Sequence, residues 1–271
     1  MAKKRLGALQ KRTMGYEVLK VVHGFWLRHN ARSSAMTCVL GFDPSLNASG
    51  LALFDMAHND LILSEELTMS VDASTKTKLQ LIKNTIERIL QDYGPVSFAV
   101  ESVNAMGNFY AMRALSYVMG VVQASLDVLS PQPILVGYTS TCMKKAITGN
   151  GKATKVEIVE AHRVGVHGIH FETDNEADAF SAALITSALF EVALAFYENF
   201  YKDGEWDTYD DAAVKALWKR LPEELSLSPE MVAAVRLTVE KNDILRDNCD
   251  KQEQRAILKR VNLPLDGDGE E

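Results

Sequence analysis

Apolar and polar positions alternate along this chain with two periods, and the switches between them mark out its elements. TCVLGFD, GLALFD and LILSEELTM lie close together after residue 37, separated by turns rich in Asn, Ser, Asp and Gly, and predict three successive strands. TKTKLQLIKNTIERILQDYG then changes period. Its apolar positions Leu79, Ile82, Ile86 and Leu90 recur at helical spacing, and Gly94 marks the stop. PVSFAVE predicts a short buried strand ending in Glu101. FYAMRALSYVMGVVQASLDVL predicts a long, mostly buried helix, and PILVGY a fifth strand. STCMKKAITG predicts a short helix opened by Ser140 or Thr141 and closed by Gly149. A further helix follows at about 153–164, and DNEADAFSAALITSALFEVALAFYENF predicts a long helix opened by Asp174.

The order β-β-β-α-β-α-β-α-α-α implies an α/β fold. Three meandering strands followed by βα units make a mixed five-stranded sheet with helices on both faces. Past residue 202 the pattern changes again. SPEMVAAVRLTVEK and KQEQRAILKR have helical character among loops rich in Asp, Gly and Pro, and DGDGEE is expected to be a disordered tail. The expected division is a basic N-terminal extension at 1–36, a principal domain at 37–201 and an acidic helical C-terminal extension at 202–271.

Composition narrows the class. The chain has 271 residues, 47% of them hydrophobic, which suffices for one good core. No uninterrupted apolar run reaches the roughly 18 residues of a membrane helix, and no signal-peptide pattern is present. Cys38, Cys142 and Cys249 are widely spaced and odd in number, which fits a reducing compartment rather than a disulfide framework or a zinc site. A cytoplasmic location is expected, with a mitochondrial presequence at 1–36 as the alternative. Net charge is −7. The first 36 residues carry eight Lys or Arg against the single acid Glu17, so everything after them is strongly acidic. A nucleic-acid binder with this balance must concentrate positive charge locally.

The carboxylates carry the chemistry. In VLGFDPSLNASGLALFD (residues 39–55), an apolar strand runs straight into Asp43. Glu101 ends the fourth strand, and Asp178 lies one turn inside the last long helix. Asp43 could instead cap a turn, Glu101 could be a surface acid, and Asp178 with Glu176 could be a solvated first turn. Convergence of all three would cost several kcal/mol in desolvation and mutual repulsion, which a divalent cation removes. Oxygen ligands favour Mg²⁺ or Mn²⁺, and two such ions suit phosphodiester cleavage.

These stretches resemble the RuvC family of Holliday junction resolvases, which have an RNase H-like fold. VLGFDPSLNASGLALFD is similar to the family's opening strand, acid, proline, turn and second strand. FAVESV is similar to its strand ending in glutamate, MKKAITGNGKATKVEIV to its basic segment, and NEADAFSAALI to its closing helix with carboxylates. The similarity runs from about 37 to 190. It implies an Mg²⁺- or Mn²⁺-dependent endodeoxyribonuclease of a bacterial or phage-infected cell that uses no nucleotide cofactor, with two ions held by Asp43, Glu101 and Asp178. It also implies paired symmetric cuts leaving 5′-phosphate ends, and therefore a homodimer acting on branched DNA. The helix at 109–129 is the candidate interface, with core burial as the alternative.

Two departures stand out. The family's two metal-binding side chains on the last helix lie three residues apart, and here that pair is Asn175 and Asp178. Asp174 is a charged alternative that can share a face with Asp178, and it is also a good N-cap. The family's aromatic wedge near the start of the loop after Glu101 falls at Asn104, leaving Met106, Phe109 and Tyr110 as substitutes, or as packing residues. Lys144, Lys145, Lys152 and Lys155 flank TGNG as candidate phosphate contacts. The resemblance favours Lys144 and Lys155 among them. The alternatives are another RNase H-like nuclease acting on flaps, forks or RNA–DNA hybrids, or a catalytically silent binding protein of this fold. An actin-like ATPase is a further alternative, disfavoured by Ser45 where its phosphate loop has glycine.

Overall fold

The computed structural model describes residues 37–102, 109–128, 132–165, 168–202, 205–206 and 211–241. The basic segment 1–36, Met106, KQEQRAILKR and the acidic tail lie outside the described residues. Strands β1 (Cys38–Asp43), β2 (Ala48–Asp55), β3 (Asp60–Thr68), β4 (Ser97–Ser102) and β5 (Ile134–Thr139) form one sheet in the order β3-β2-β1-β4-β5. The first three meander antiparallel, and β4 and β5 run parallel to β1. The expected mixed five-stranded sheet is therefore present. The chain leaves β1 in one direction and returns on its other side at β4. The C-terminal ends of β1 and β4 thus flank the point where strand order reverses, where open α/β sheets place their ligands.

Period-two alternation divides the strands between two cores. Leu40, Phe42, Leu51, Leu53, Phe98 and Val100 point to one face. There they meet α1 (Thr75–Tyr93) and α2 (Phe109–Asp127), with Ile82, Ile86, Val118 and Val122 among the contacts. Val39, Ala52, Phe54, Ala99, Val136 and Tyr138 point to the other. That face is covered by α3 (Ser140–Thr148), α4 (Lys155–Val164) and α5 (Asp174–Phe200). A two-strand ribbon, β6 (Tyr201–Lys202) and β7 (Glu205–Trp206), follows. Helices α6 (Asp211–Glu224) and α7 (Pro229–Lys241) then fold back against α5, and α7 also packs on α3. Leu217, Trp218, Leu221, Val235 and Val239 join the same core as α5.

Helix starts differ from the pattern in two places. Thr139, the last residue of β5, caps α3 by accepting from the Cys142 N–H, so neither Ser140 nor Thr141 opens it. Asp174 does not cap α5 either. Thr173 precedes it and exchanges hydrogen bonds with Glu176, its hydroxyl accepting from the Glu176 N–H and its own N–H donating to the Glu176 carboxylate. Asp174 is thereby the first helical residue, with its side chain released from capping. α2 is also less buried than its composition predicts. Val118, Val122, Ser125 and Leu126 are buried, whereas Phe109, Tyr110, Met112 and Tyr117 face solvent. α6 has no counterpart among the elements the sequence pattern predicts.

α5 lies directly on the sheet. It is 27 residues long and apolar enough to cross a membrane by length and composition, but 83% of its most apolar window is buried within the protein, as expected of a core helix. Two glycines make its close approach possible. A Cβ on Gly41 would stand 1.9 Å from the carbonyl oxygen of Ala179, and one on Gly50 would stand 1.9 Å from that of Asn175. Backbone cannot yield as a flexible side chain can. Gly50→Ala is therefore expected to lift the first turn of α5 and cost about 1–3 kcal/mol or more. Thermal unfolding would show this as a lowered Tm, and an unchanged Tm would mean that the contact does not constrain the helix.

Candidate metal centre

Alternation and register together place the carboxylates. Asp43 has the same parity as Val39 and Gly41, and Glu101 the same parity as Ala99, so both point to the α5 face. They occupy the ends of adjacent parallel strands, one step beyond the pair Phe42↔Val100. Asp178 reaches them from the second turn of α5, which the glycine contacts hold against β1 and β2. Ligand oxygens of Asp43, Glu101 and Asp178 all lie within 4.8 Å of one another. This spacing suits a shared cation, and the hard, anionic oxygen set is that of a magnesium- or manganese-type site.

The electrostatics express the strain of this convergence. Burial, and then the charges of Glu101 and Asp178, push the Asp43 carboxyl up to about 8. Glu101 is raised to about 7, chiefly by burial and then by Asp178. Burial also raises Asp178, to about 6. Three groups oppose these shifts. The Ser140 hydroxyl, at the start of α3, donates to Glu101, and Lys144 and Lys155 act on it through their charge. Lys155 and Lys144 likewise favour the ionised form of Asp178. Lys155 also makes an ion pair with Asp174, whose charge in turn acts on Asp43 and Asp178.

Not every expected site residue joins this group. Asn175 turns to β3, its Nδ2 donating to Glu66 Oε2 at 2.8 Å. Lys145 is exposed beside Cys142; burial pushes that thiol up, against the smaller opposing effect of the Lys145 charge. Lys152 is exposed on the turn after Gly149, its N–H donating to Asn150 Oδ1 at 3.0 Å. Phe109 and Tyr110 open α2 with 66% and 77% of their surfaces exposed, so packing does not explain them. Sequence reasoning missed Ser140, Glu66 and the helix-seating glycines. The role of Gly50 shows only in the register, where it pairs with Asp43 and Glu66 in one row across the sheet, an acid–glycine–acid row with a gap at its centre.

A five-stranded mixed sheet in this order, with carboxylates at the ends of its first and fourth strands and on its closing helix, defines an RNase H-like nuclease fold. The family model described as crossover junction endodeoxyribonuclease RuvC matches residues 39–185, more than half of the chain, and the chain belongs to that family. RuvC of Wolbachia sp. subsp. Brugia malayi (strain TRS) is 24% identical over 152 residues, covering 55% of this chain and 93% of that protein. RuvC of Renibacterium salmoninarum is 33% identical over 127 residues, covering 44% of this chain and 63% of that protein. Among solved structures, T. thermophilus RuvC in complex with Holliday junction substrate matches the fold with a TM-score of 0.50 and 22% identity. That match covers 59% of this chain and 96% of the other.

The raised carboxyls predict a pH dependence for the metal-free protein. In the unfolded chain they release their protons near pH 4, whereas the folded chain retains them to between about 6 and 8. The folded state therefore binds more protons across this window, and stability falls as pH rises through it. Tm measured in chelator should be higher near pH 5 than near pH 8, and Mg²⁺ should restore most of the loss at the alkaline end. Asp43→Asn should flatten the profile. A wild-type profile without this fall, and without a response to Mg²⁺, would contradict the coupling.

Proposed function

We propose that this chain hydrolyses phosphodiester bonds at four-way (Holliday) DNA junctions, using Mg²⁺ or Mn²⁺, with two ions per site. The observation that carries this reading is the meeting of Asp43, Glu101 and Asp178 within 4.8 Å, beside two lysines, in a member of the RuvC family. The three carboxylates would hold the cations. Bound there, such ions lower the pKa of an attacking water and stabilise the departing 3′ oxygen, leaving 5′-phosphate ends. Ser140 fixes one end of this arrangement by donating to Glu101. Lys144 and Lys155 contact the phosphates flanking the scissile bond, a role supported by their charge acting on Glu101 and Asp178. This local patch resolves the conflict between DNA binding and a net charge of −7.

A junction is opened by two symmetric cuts, so the active form is a two-fold homodimer. Its contact surface is the solvent-facing side of α2, where Met112 and Tyr117 lie exposed. Phe109 and Tyr110 stand at the N-terminal end of the same helix, after the segment that follows Glu101, and serve as wedges that unstack bases at the junction centre.

The test is cleavage of a synthetic four-way junction with Mg²⁺, beside a linear duplex and a flap. Paired cuts confined to the junction support the reading. Preferential cutting of the flap favours the alternative of a nuclease on other branched DNA, and binding without cutting favours a silent relative. Asp43→Asn, Glu101→Gln and Asp178→Asn should each abolish cleavage while leaving junction binding intact or tighter, because they remove negative charge near phosphate. Normal cutting by all three would place the active site elsewhere.

Lys144→Ala should weaken binding to any junction sequence. It should also lower the slope of log affinity against log salt by roughly one. An unchanged slope would mean that this lysine does not touch the backbone.

A further inference from the structure

The first turn of α5 offers two oxygen donors for a fourth cation ligand, and the fold commits them to different tasks. Asn175 belongs to an anchor. Its Nδ2 donates to Glu66, and its backbone carbonyl is the group seated over Gly50. The next residue repeats the attachment, since Ser64 Oγ donates to Glu176 Oε1 at 3.1 Å. Ser64 and Glu66 stand on β3 opposite Ala52 and Gly50, on the α5 face of the sheet. Two consecutive helix residues thus fasten α5 to β3. This use of Asn175 needs an amide donor, which a carboxylate at that position could not supply to Glu66.

Asp174 has no such commitment to the sheet. Thr173 and Glu176 form the cap between them, leaving the Asp174 carboxylate to Lys155. Asp174 stands one turn before Asp178 on α5, on the same side of the helix, and outside the three residues whose oxygens lie within 4.8 Å of one another. Asp174 acts electrostatically on Asp43 and Asp178, and Lys155 acts on Asp43, Glu101 and Asp178. Lys155 is 62% exposed along its side chain, at the first position of α4. Its ammonium is therefore a mobile cation already resident at the edge of an acidic site, on a flexible stem.

We propose that Asp174, not Asn175, is the fourth ligand of the cation site in this chain, and that Lys155 is the counter-ion a second divalent cation displaces from it. The inference rests on the reading of the site as a two-cation centre. It gives Lys155 two alternating partners. Without the second cation it neutralises Asp174. With that cation bound it is released to a DNA phosphate, so cation occupancy and DNA affinity rise together.

The experiment is Mn²⁺ titration of the full chain without DNA, followed by electron paramagnetic resonance and calorimetry. Wild type is expected to bind two ions. Asp174→Asn should weaken one of them by about tenfold or more, as expected when a full charge is replaced by a dipole. Asn175→Ala should lower Tm but leave both ions bound within about twofold, because its amide serves packing rather than coordination. Lys155→Met should tighten the weaker ion, and this gain should vanish in an Asp174→Asn background, since the two substitutions act on one contact. The proposal is overturned if Asp174→Asn matches wild type in count and affinity, if Asn175→Ala is the variant that loses an ion, or if Lys155→Met leaves the ions unchanged or weaker. A wild-type chain that binds no Mn²⁺ and behaves like Asp43→Asn would overturn the two-cation reading itself, and this inference with it.

Discussion

Confinement of the carboxyls of Asp43, Glu101 and Asp178 away from water and beside one another is the electrostatic cost against which the rest of this molecule is arranged. Each carboxyl is largely withdrawn from water, and each is pushed toward its protonated form. Left to themselves, such groups would separate or stay neutral. They are kept together because each sits on an element that cannot retreat. β1 and β4 are hydrogen-bonded neighbours in the middle of the sheet. α5 is seated on that sheet without side chains in between at Gly41 and Gly50, and held to β3 by Asn175 and Glu176. The packing free energy of a long buried helix thus offsets a local electrostatic cost, and leaves a compressed anionic group of the kind that could hold a divalent cation.

The groups that relieve this repulsion come from α3 and α4, and those helices are themselves braced. Tyr138, the strand partner of Glu101, is fully buried and hydrogen-bonds Thr186 of α5 at 2.8 Å. On α4, His162 pairs with Ser181 of α5 at 2.8 Å and packs edge-on against Phe171 and Phe180. α7 covers α3 and α5 from outside the family-matched segment, which ends at residue 185. The helices past residue 202 therefore continue the core that supports Ser140 and Lys144.

The position where this chain departs from the family's pair of helix carboxylates is explained by the same seating. An aspartate at 175 would face Glu66 across the sheet as a like charge, whereas an asparagine donates to it. Asn175 serves there as a helix anchor, and Asp174 keeps its ion pair with Lys155.

Much of this architecture was legible in the chain itself. Strands and most helices follow from local periodicity, which depends only on which face of each element must be buried. The strand-end carboxylates stood out because an acid after an apolar run has few inexpensive explanations. The sequence left α2 open between an interface and core burial, because an apolar helix reads alike whether its faces are packed or exposed. The Thr173 cap was obscured by Asp174, which would cap equally well in isolation. Glu66, Ser140 and the partner chosen by Lys155 depend on register and on helix placement, which bring together residues as far apart as 66 and 175. No local pattern encodes such contacts. The sequence alone determined that carboxylates would stand at the ends of the first and fourth strands. Only the tertiary structure decided which side chain of α5 faces them and which is spent on holding the helix down, because that choice turns on where one helix comes to rest against one sheet.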